Sequence, residues 1–241
     1  MEEMRLNKYL ADMGYCSRRE ADRMIEAGRV EVDGRKAGMG QKIGPGMTVS
    51  VDGKTVGTAE DVNEVKRVLL AVYKPVGVVC TTTGNDRAEN IVDMVRYPER
   101  IYPIGRLDKD SSGLILMTNR GELVNKIMKA SSMHEKEYIV QVNKPMSREF
   151  LYAMRRGVTL KELGVTTRKC TVDMIDETHF SIILTQGYNR QIRRMCEALG
   201  YKVLELTRTR IMNITLGKML PGTSRRIKGA ELAALEKQLG L

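Results

Sequence analysis

One aspartate in this chain has neighbours that could make its carboxylate a chemical tool. Asp108 lies in the stretch GRLDKDSSGLILMT, after Arg106 and Leu107 and shortly before an apolar run. An ionised carboxylate can attack an electrophilic carbon or stabilise an oxocarbenium-like sugar. Aspartate also builds tight turns, because its side chain bonds its own backbone and tolerates turn conformations. The loop by itself leaves both interpretations open.

Two later segments could supply partners for this carboxylate. Tyr138 lies in the strand-like HEKEYIV, where it would project to one face. The segment GYNRQIRRMCEALG predicts a helix whose first turns carry Arg190, Arg193 and Arg194. Because the helix dipole disfavours cations at that end, a bound anion or a carboxylate explains them better than a solvated face. The pattern leaves open which of the three arginines pairs with Asp108.

Other classes of site have little support. Two histidines and four separated cysteines without a CxxC pair provide neither a metal-ligand set nor a Ser-His-Asp arrangement. The glycines of GMGQKIG have the wrong spacing for a dinucleotide loop, and no phosphate-binding loop of the Walker type occurs. We therefore expect no metal and no cofactor.

The charge of the chain predicts a polyanionic partner. The formal net charge is +10 over 241 residues, which indicates a nucleic acid or an anionic membrane surface. No apolar run approaches the roughly 18 residues of a membrane span, and the N-terminus lacks the apolar segment of a signal peptide. We expect a cytoplasmic monomer without membrane association.

The first 51 residues predict a small domain of two helices and a hairpin. Leu6 and Leu10 recur at helical spacing, Ser17 and Glu20 form a capping-box pattern, and Asp33-Gly34 is a strong hairpin turn. Cations lie on or near the helices: Arg5, Lys8, Arg18, Arg19, Arg23 and Arg29. The polar stretch 52–66 predicts a flexible linker, and residues 67–241 would form the second domain.

Strands and helices in the second domain are mixed without strict alternation, which predicts an α+β fold on a largely antiparallel sheet. The predicted strands are 68–73, 77–81, 114–118, 137–143, 170–175, 179–185, 203–207 and 211–216. The predicted helices are 89–95, 121–130, 147–156, 189–199 and 229–238.

Five blocks in order carry a resemblance: KPVGVVCTT, GRLDKDSSGLILMTN, HEKEYIV, GYNRQIRRM, and LTRTRI followed by LPG. Together they resemble the RsuA/RluB/RluE/RluF family of ribosomal RNA pseudouridine synthases. HEKEYIV and NRQIRRMCEALGY are most similar to the RluF branch, which modifies 23S rRNA. Residues 4–51 resemble the S4 RNA-binding domain, whose helices present basic residues to RNA.

The resemblance implies an isomerisation, in which a uridine base is detached at N1, rotated and rejoined through C5 without cofactor or metal. It assigns Asp108 as the catalytic carboxylate, Arg193 as its partner and Tyr138 as the residue that stacks on uracil. It places Arg106 in the gap left by the flipped base and Leu206 below the pocket. RNA or base contacts are expected from Lys74, Lys109, Asn189, Arg190, Gln191, Arg194 and Arg208. Whether Asp108 attacks C1′ or C6, or removes a sugar proton, stays open.

Two alternatives use the same features. The chain could act on another rRNA site or on a tRNA anticodon stem-loop. It could instead be a non-catalytic S4-domain factor in ribosome assembly, which would bind RNA without changing it.

Overall fold

The computed structural model describes residues 3–81 and 88–241, which divide into two compact units. The first consists of the chain up to Val68, Tyr97–Ile101 and Asn119–Gly121. The second consists of Leu69–Arg96, Tyr102–Thr118 and Glu122–Leu241. The last residues of the block KPVGVVCTT lie next to or outside the described residues.

The first unit contains two short helices and small antiparallel sheets. Its elements are β1 (Met4–Arg5), α1 (Leu6–Asp12), α2 (Arg18–Glu26), β2 (Val30–Val32), β3 (Arg35–Lys36), β4 (Lys42–Ile43), β5 (Thr48–Val51) and β6 (Lys54–Thr58). Among the described residues, four strands form a sheet in the order β3-β2-β5-β6, and β1 pairs with β4. The apolar faces of both helices pack on a core that includes Leu6, Leu10 and Ile25.

The start of α2 follows from its cap. The Ser17 hydroxyl accepts a hydrogen bond from the Glu20 backbone N–H at 3.1 Å, as the sequence predicts. The Glu20 carboxylate pairs with Arg23 one turn later.

The stretch 52–66, predicted to be a flexible linker, differs from that expectation. It contributes β6 and a 3-10 helix at Ala59–Asn63, whose Ala59 and Val62 are buried in the core of the first unit. Thr58 and Asp61 cap this turn reciprocally. A buried pair in an otherwise polar stretch has too little periodicity to be recognised in the sequence.

The second unit consists of a large sheet and five helices in the described part of the chain. Its elements are β7 (Leu69–Lys74), α3 (Ile91–Val95), β8 (Tyr102–Ile104), β9 (Ser112–Thr118), α4 (Gly121–Met128), β10 (Lys136–Val142), α5 (Arg148–Arg156), β11 (Thr159–Leu160), β12 (Val165–Thr166), β13 (Thr171–Met174), β14 (His179–Leu184), α6 (Gln191–Ala198), β15 (Val203–Ile211), β16 (Ile214–Thr215), β17 (Ser224–Arg226) and α7 (Gly229–Leu239).

The main sheet confirms the predicted α+β class. Its described strands follow the order β13-β14-β10-β15-β9-β7-β17, with β16 on β15 and β8 on β9. Strand pairs in the described sheet are antiparallel except for β9 with β15, which run parallel. Apolar clusters cover it where α5 and α6 pack, and where α4 and α7 pack.

The predicted elements are largely present, with three informative differences. Residues 77–81 form an isolated bridge between Val79 and Asn90 rather than a strand, after a turn that follows Pro75. The strand predicted at 211–216 is divided, because Met212 takes a left-handed conformation (φ 53°) between β15 and β16. Four short strands were not predicted: β8, β11, β12 and β17.

The parallel pairing of β9 with β15 requires a glycine. Gly113 has φ +109° and lies opposite Arg208, and a Cβ atom there would collide with the Arg208 backbone. Because the loop that carries Asp108 leads directly into β9, this approach fixes its distance from β15.

We expect Gly113→Ala to lower the free energy of unfolding by about 2–4 kcal/mol, because it adds backbone strain and separates two central strands. Urea unfolding followed by circular dichroism measures the change. Gly187→Ala is the matched control, since a Cβ there meets nothing within 4 Å, and it should cost less than about 0.5 kcal/mol. A Gly113→Ala protein as stable as the parent would contradict the argument.

Candidate active site

The loop between β8 and β9 holds Asp108 beside a cleft. The Ser111 N–H donates to the Asp108 carbonyl at 3.1 Å, which closes the turn. The Gly77 N–H donates to the Lys109 carbonyl at 2.8 Å and ties the turn to the segment after β7. The Asp108 side chain is 31% exposed, so its carboxylate is held in place yet accessible.

The cleft has a volume of about 460 Å³ and collects most of the predicted site residues. Those that line it are Arg106, Asp108, Tyr138, Asn189, Arg190, Gln191, Leu206 and Arg208. Lys109 lies instead in an adjoining cleft of about 530 Å³, which shares Arg106, Asp108 and Arg190 with the first. The two clefts therefore meet at the aspartate.

Arg190 is the arginine that pairs with Asp108 in the described structure. Its Nη1 lies 3.8 Å from the Asp108 carboxylate. The same guanidinium donates two hydrogen bonds to Asp110, at 3.0 and 2.9 Å. Arg190 is the residue before α6, and its backbone has a left-handed conformation (φ 52°). In this position its one guanidinium contacts both carboxylates.

Arg193, which the resemblance assigns as the partner of Asp108, makes its recorded contacts with other groups in the described structure. Arg193 Nη2 donates to the Asp110 carbonyl at 2.8 Å, and Nη1 donates to the Val203 carbonyl at 3.2 Å. Its Nε lies 3.4 Å from the Asp110 carboxylate, close enough for an ion pair but not aligned for a hydrogen bond. Arg193 thus braces the turn after Asp108 against β15, because its place in the first turn of α6 faces that strand.

Two other predicted RNA contacts are used inside the protein. Lys74 is 0% exposed, and its ammonium donates to the carbonyls of Pro75 (2.9 Å) and Val78 (2.8 Å). Burial is the main cause that lowers its pKa. Arg194 pairs with Glu162 and donates to the Asn189 carbonyl. Neither residue lines the cleft.

Tyr138 and Arg208 face each other across adjacent strands. They are opposite in the β10–β15 register, and the guanidinium carbon lies 6.0 Å from the centre of the Tyr138 ring. Arg208 is 4% exposed, and its Nε donates to the Leu114 carbonyl at 2.7 Å. Leu206 lies two residues earlier and belongs to both the cleft and the core.

Gln191 stabilises the turn that lines one side of the cleft. It is buried, and its side-chain oxygen accepts a hydrogen bond from the Tyr188 N–H at 3.0 Å. This contact fixes the turn before α6, where Gly187, Tyr188 and Asn189 line the cleft.

Sequence reasoning missed several cleft residues and one carboxylate. Lys129, His134, Lys136, Gln186 and Tyr188 also line the cleft. Lys136 could have been found, because it precedes Tyr138 by two positions and strand side chains alternate. Burial lowers the pKa of both His134 and Lys136. The role of Asp110 could not have been found in the sequence, because nothing in the turn shows which carboxylate an arginine 80 residues later will bind.

The basic residues predicted in the first unit differ in whether a carboxylate neutralises them. Lys8 pairs with Asp12 at 2.6 Å, Arg23 pairs with Glu20, and Arg29 binds Asp52 through two hydrogen bonds. Arg5, Arg18 and Arg19 are exposed and have no recorded ion pair among the described residues. Of the six basic residues predicted on or near the helices, these three therefore have no recorded carboxylate partner in the described part of the chain.

The described residues give no support to a membrane span or to a metal site. Across 3–81 and 88–241, no helix is long and apolar enough to cross a bilayer. The same residues contain no group of three His, Cys, Asp or Glu side chains placed to hold a metal ion.

Comparison with known proteins gives consistent matches. A family model for RNA pseudouridylate synthase matches residues 68–198, and one for the S4 domain matches residues 4–49. The chain is 50% identical over 236 residues to the "Dual-specificity RNA pseudouridine synthase RluF" of Escherichia coli (strain K12), which covers 97% of this chain and 79% of that protein. It is 37% identical over 225 residues to the "Ribosomal large subunit pseudouridine synthase B" of Salmonella typhi, covering 90% of this chain and 76% of that one.

A solved structure has the same fold. A crystal structure of a pseudouridylate synthase superposes with a TM-score of 0.69 at 24% identity, covering 98% of this chain and 99% of that one.

The Arg190 guanidinium, which Asp108 and Asp110 share, predicts a lowered pKa for Asp110 that can be measured. The hydrogen bonds from Arg190 are the main cause that lowers the pKa of Asp110. This carboxylate therefore adds stability above its unfolded pKa and loses it as pH falls through the folded value. In Arg190→Gln, the Asp110 pKa should rise toward its ordinary value of about 3.9, as followed by carboxyl carbon NMR. Arg210→Gln is the control, because Arg210 binds Glu135 and Glu137. An ordinary Asp110 pKa in the parent protein would contradict the geometry.

Proposed function

This chain belongs to the family of RNA pseudouridine synthases and is an isomerase that acts on RNA, and from this premise we propose that it converts one uridine of 23S rRNA to pseudouridine. The relative named for the large ribosomal subunit supports that substrate. The relative named as dual-specificity supports a second RNA, for which a tRNA anticodon stem-loop is the candidate. We also propose that the chain works as a monomer in the cytoplasm.

The observation that carries this proposal is the common cleft of Asp108, Tyr138 and Arg190. Asp108 acts as the carboxylate in contact with the reacting nucleoside. Arg190 Nη1 lies 3.8 Å from this carboxylate and is its recorded ion-pair partner. Arg193 acts as a positioning residue, because it holds the turn at Asp110 and Ser111 through its Nη2.

The reaction moves one bond and exchanges one proton. The N1–C1′ bond breaks and leaves its electron pair on the base, while C1′ becomes electrophilic. After the base rotates, C5 bonds to C1′, the C5 proton leaves and N1 takes up a proton. The Tyr138 ring can stack on the base during this rotation. The phenol lies in the same cleft as the carboxylate, within reach of the rotating base.

The target base must leave its RNA stack before Asp108 can reach it. Flipping costs a few kcal/mol, and a planar guanidinium that stacks in the gap lowers that cost. Arg106 is exposed on the rim shared by both clefts and serves this role. Lys109 in the second cleft contacts the neighbouring backbone phosphates.

We expect Asp108→Asn to abolish pseudouridine formation, because the amide is neutral and cannot act as the carboxylate. The fall should exceed about 10³-fold, the scale seen when an essential group is removed. Release of tritium from [5-³H]uridine in a 23S rRNA transcript measures it directly, since C5 loses its hydrogen.

The control for this substitution is Asp173→Asn, which changes an aspartate whose side chain is 68% exposed on β13. It should keep the parent rate. Product formation by Asp108→Asn would remove Asp108 from its role. RNA binding by the parent chain without any product would favour the assembly-factor alternative.

The first unit should add affinity without changing the chemistry. We expect Arg18→Gln with Arg19→Gln to weaken RNA binding and to lower the slope of log K against log salt by about 1–2, since each phosphate contact releases counterions. Arg29→Gln should have a smaller effect, because Asp52 already neutralises Arg29. Filter binding at several salt concentrations measures both. Equal effects of the two variants would contradict this ranking.

A further inference from the structure

We propose that Lys136 and Arg208 form a site for the negative charge that the detached uracil carries on its oxygens. This inference rests on the proposed function and extends it to residues that the established activity does not assign. It concerns the step at which the base is free of the sugar, so the ligand is an anionic pyrimidine base.

The strand register places both cations beside the tyrosine. Lys136 precedes Tyr138 by two positions on β10, so their side chains share one face of the sheet. Arg208 lies directly opposite Tyr138 on β15 and therefore also shares that face. All three line the cleft that contains Asp108. A base that stacks on Tyr138 would place its oxygens next to the two cations.

Arg208 has donor capacity that the protein does not use. Its Nε is bonded to the Leu114 carbonyl, but its buried Nη2 has no hydrogen-bond partner among the described residues. A buried donor without an acceptor lowers the stability of the fold. On the wall of a cleft, a ligand that supplies the acceptor explains why such a donor is kept.

Lys136 is similarly unneutralised. Its one recorded contact is a long hydrogen bond, 3.4 Å, to the His134 carbonyl, and no carboxylate pairs with it in the described chain. Burial and the Arg208 charge both lower its pKa. An anion bound between the two side chains would favour the charged ammonium and raise this pKa again.

Other cations in this unit show what a purely structural role looks like. The ammonium of Lys74 is satisfied by two backbone carbonyls. Arg210, two residues after Arg208, is neutralised by Glu135 and Glu137. Among the described residues, Lys136 and Arg208 each have one recorded carbonyl acceptor and no carboxylate partner, and this difference separates a ligand site from a buried structural charge.

The chemistry of the reaction requires such a site. When the N1–C1′ bond breaks, its electron pair passes to the ring and is shared by N1 with the oxygens at C2 and C4. Attack of Asp108 on C6 would also send charge to an oxygen of the base. Fixed cations in a partly dry cleft stabilise developing charge, and loss of one such donor typically costs about 10²–10³-fold in rate.

The test compares Lys136→Met with the parent in single-turnover reactions on a saturating 23S rRNA transcript, with binding measured separately. We expect the rate constant to fall about 10²–10³-fold while the Kd stays within about threefold, because the charge develops only as the bound base reacts. Lys136→Arg keeps the cation and should retain most of the rate. Lys144→Met is the matched control, since Lys144 is exposed and contacts only the Tyr201 ring in the described structure.

A second substrate separates charge stabilisation from packing. A transcript containing 5-fluorouridine has an electron-withdrawing group that stabilises the anionic base. The deficit of Lys136→Met, measured as conversion of 5-fluorouridine after nuclease digestion, should shrink to about tenfold or less. A structural defect would reduce both substrates equally. Arg208→Gln is measured in the same assays on both transcripts. Thermal unfolding of each variant checks for a structural defect.

Three results would overturn the inference while leaving the proposed function intact: full activity in Lys136→Met, a loss confined to Kd, or the same deficit on both transcripts. A parent protein that forms no pseudouridine in any ribosomal RNA would overturn both. The two failures are therefore distinguishable from the parent reaction alone.

Discussion

The parallel seam between β9 and β15 is the constraint on which the rest of the site depends. Arg208 lies against Gly113 in this pairing, and the hydroxyls of Ser112 and Thr207 meet at 2.9 Å. One side of the seam continues from the loop that holds Asp108, and the other carries a buried cation of the cleft. A shift here changes the distance between carboxylate and base, and about 1 Å of misplacement can cost roughly 10²-fold in rate.

The electrostatics of the cleft follow from an unequal distribution of charge. Asp108 is the one carboxylate among its described lining residues, which include five lysines and arginines. Arg190 divides its contacts between Asp108 and Asp110, and therefore the nearest cation is held in place before any RNA arrives. A concave surface of one sign concentrates field and attracts a polyanion. The same cations that attract phosphates thus surround the group that must act as an anion.

The sequence predicts elements with local causes and misses contacts between distant ones. Ser17 caps α2, as the capping-box pattern indicates, and the alternation around Tyr138 predicts β10. The pairing of Arg190, rather than Arg193, with Asp108 depends on one left-handed residue before α6, which no pattern encodes. The burial of Lys74 depends on carbonyls that only the folded turn brings to its ammonium.

Cations of the second unit have different partners inside and outside the cleft, and this difference connects the stability of the fold with its chemistry. Outside the cleft, arginines are commonly neutralised within the fold, as Arg225 is by Glu231 and Arg155 by Asp173. Arg208 differs from these arginines, because its buried Nη2 on the cleft wall has no hydrogen-bond acceptor among the described residues. Because an unmet buried donor lowers stability, its retention is best explained by the ligand that completes it. The same buried donor thus connects a local loss of stability with the binding of an anionic base.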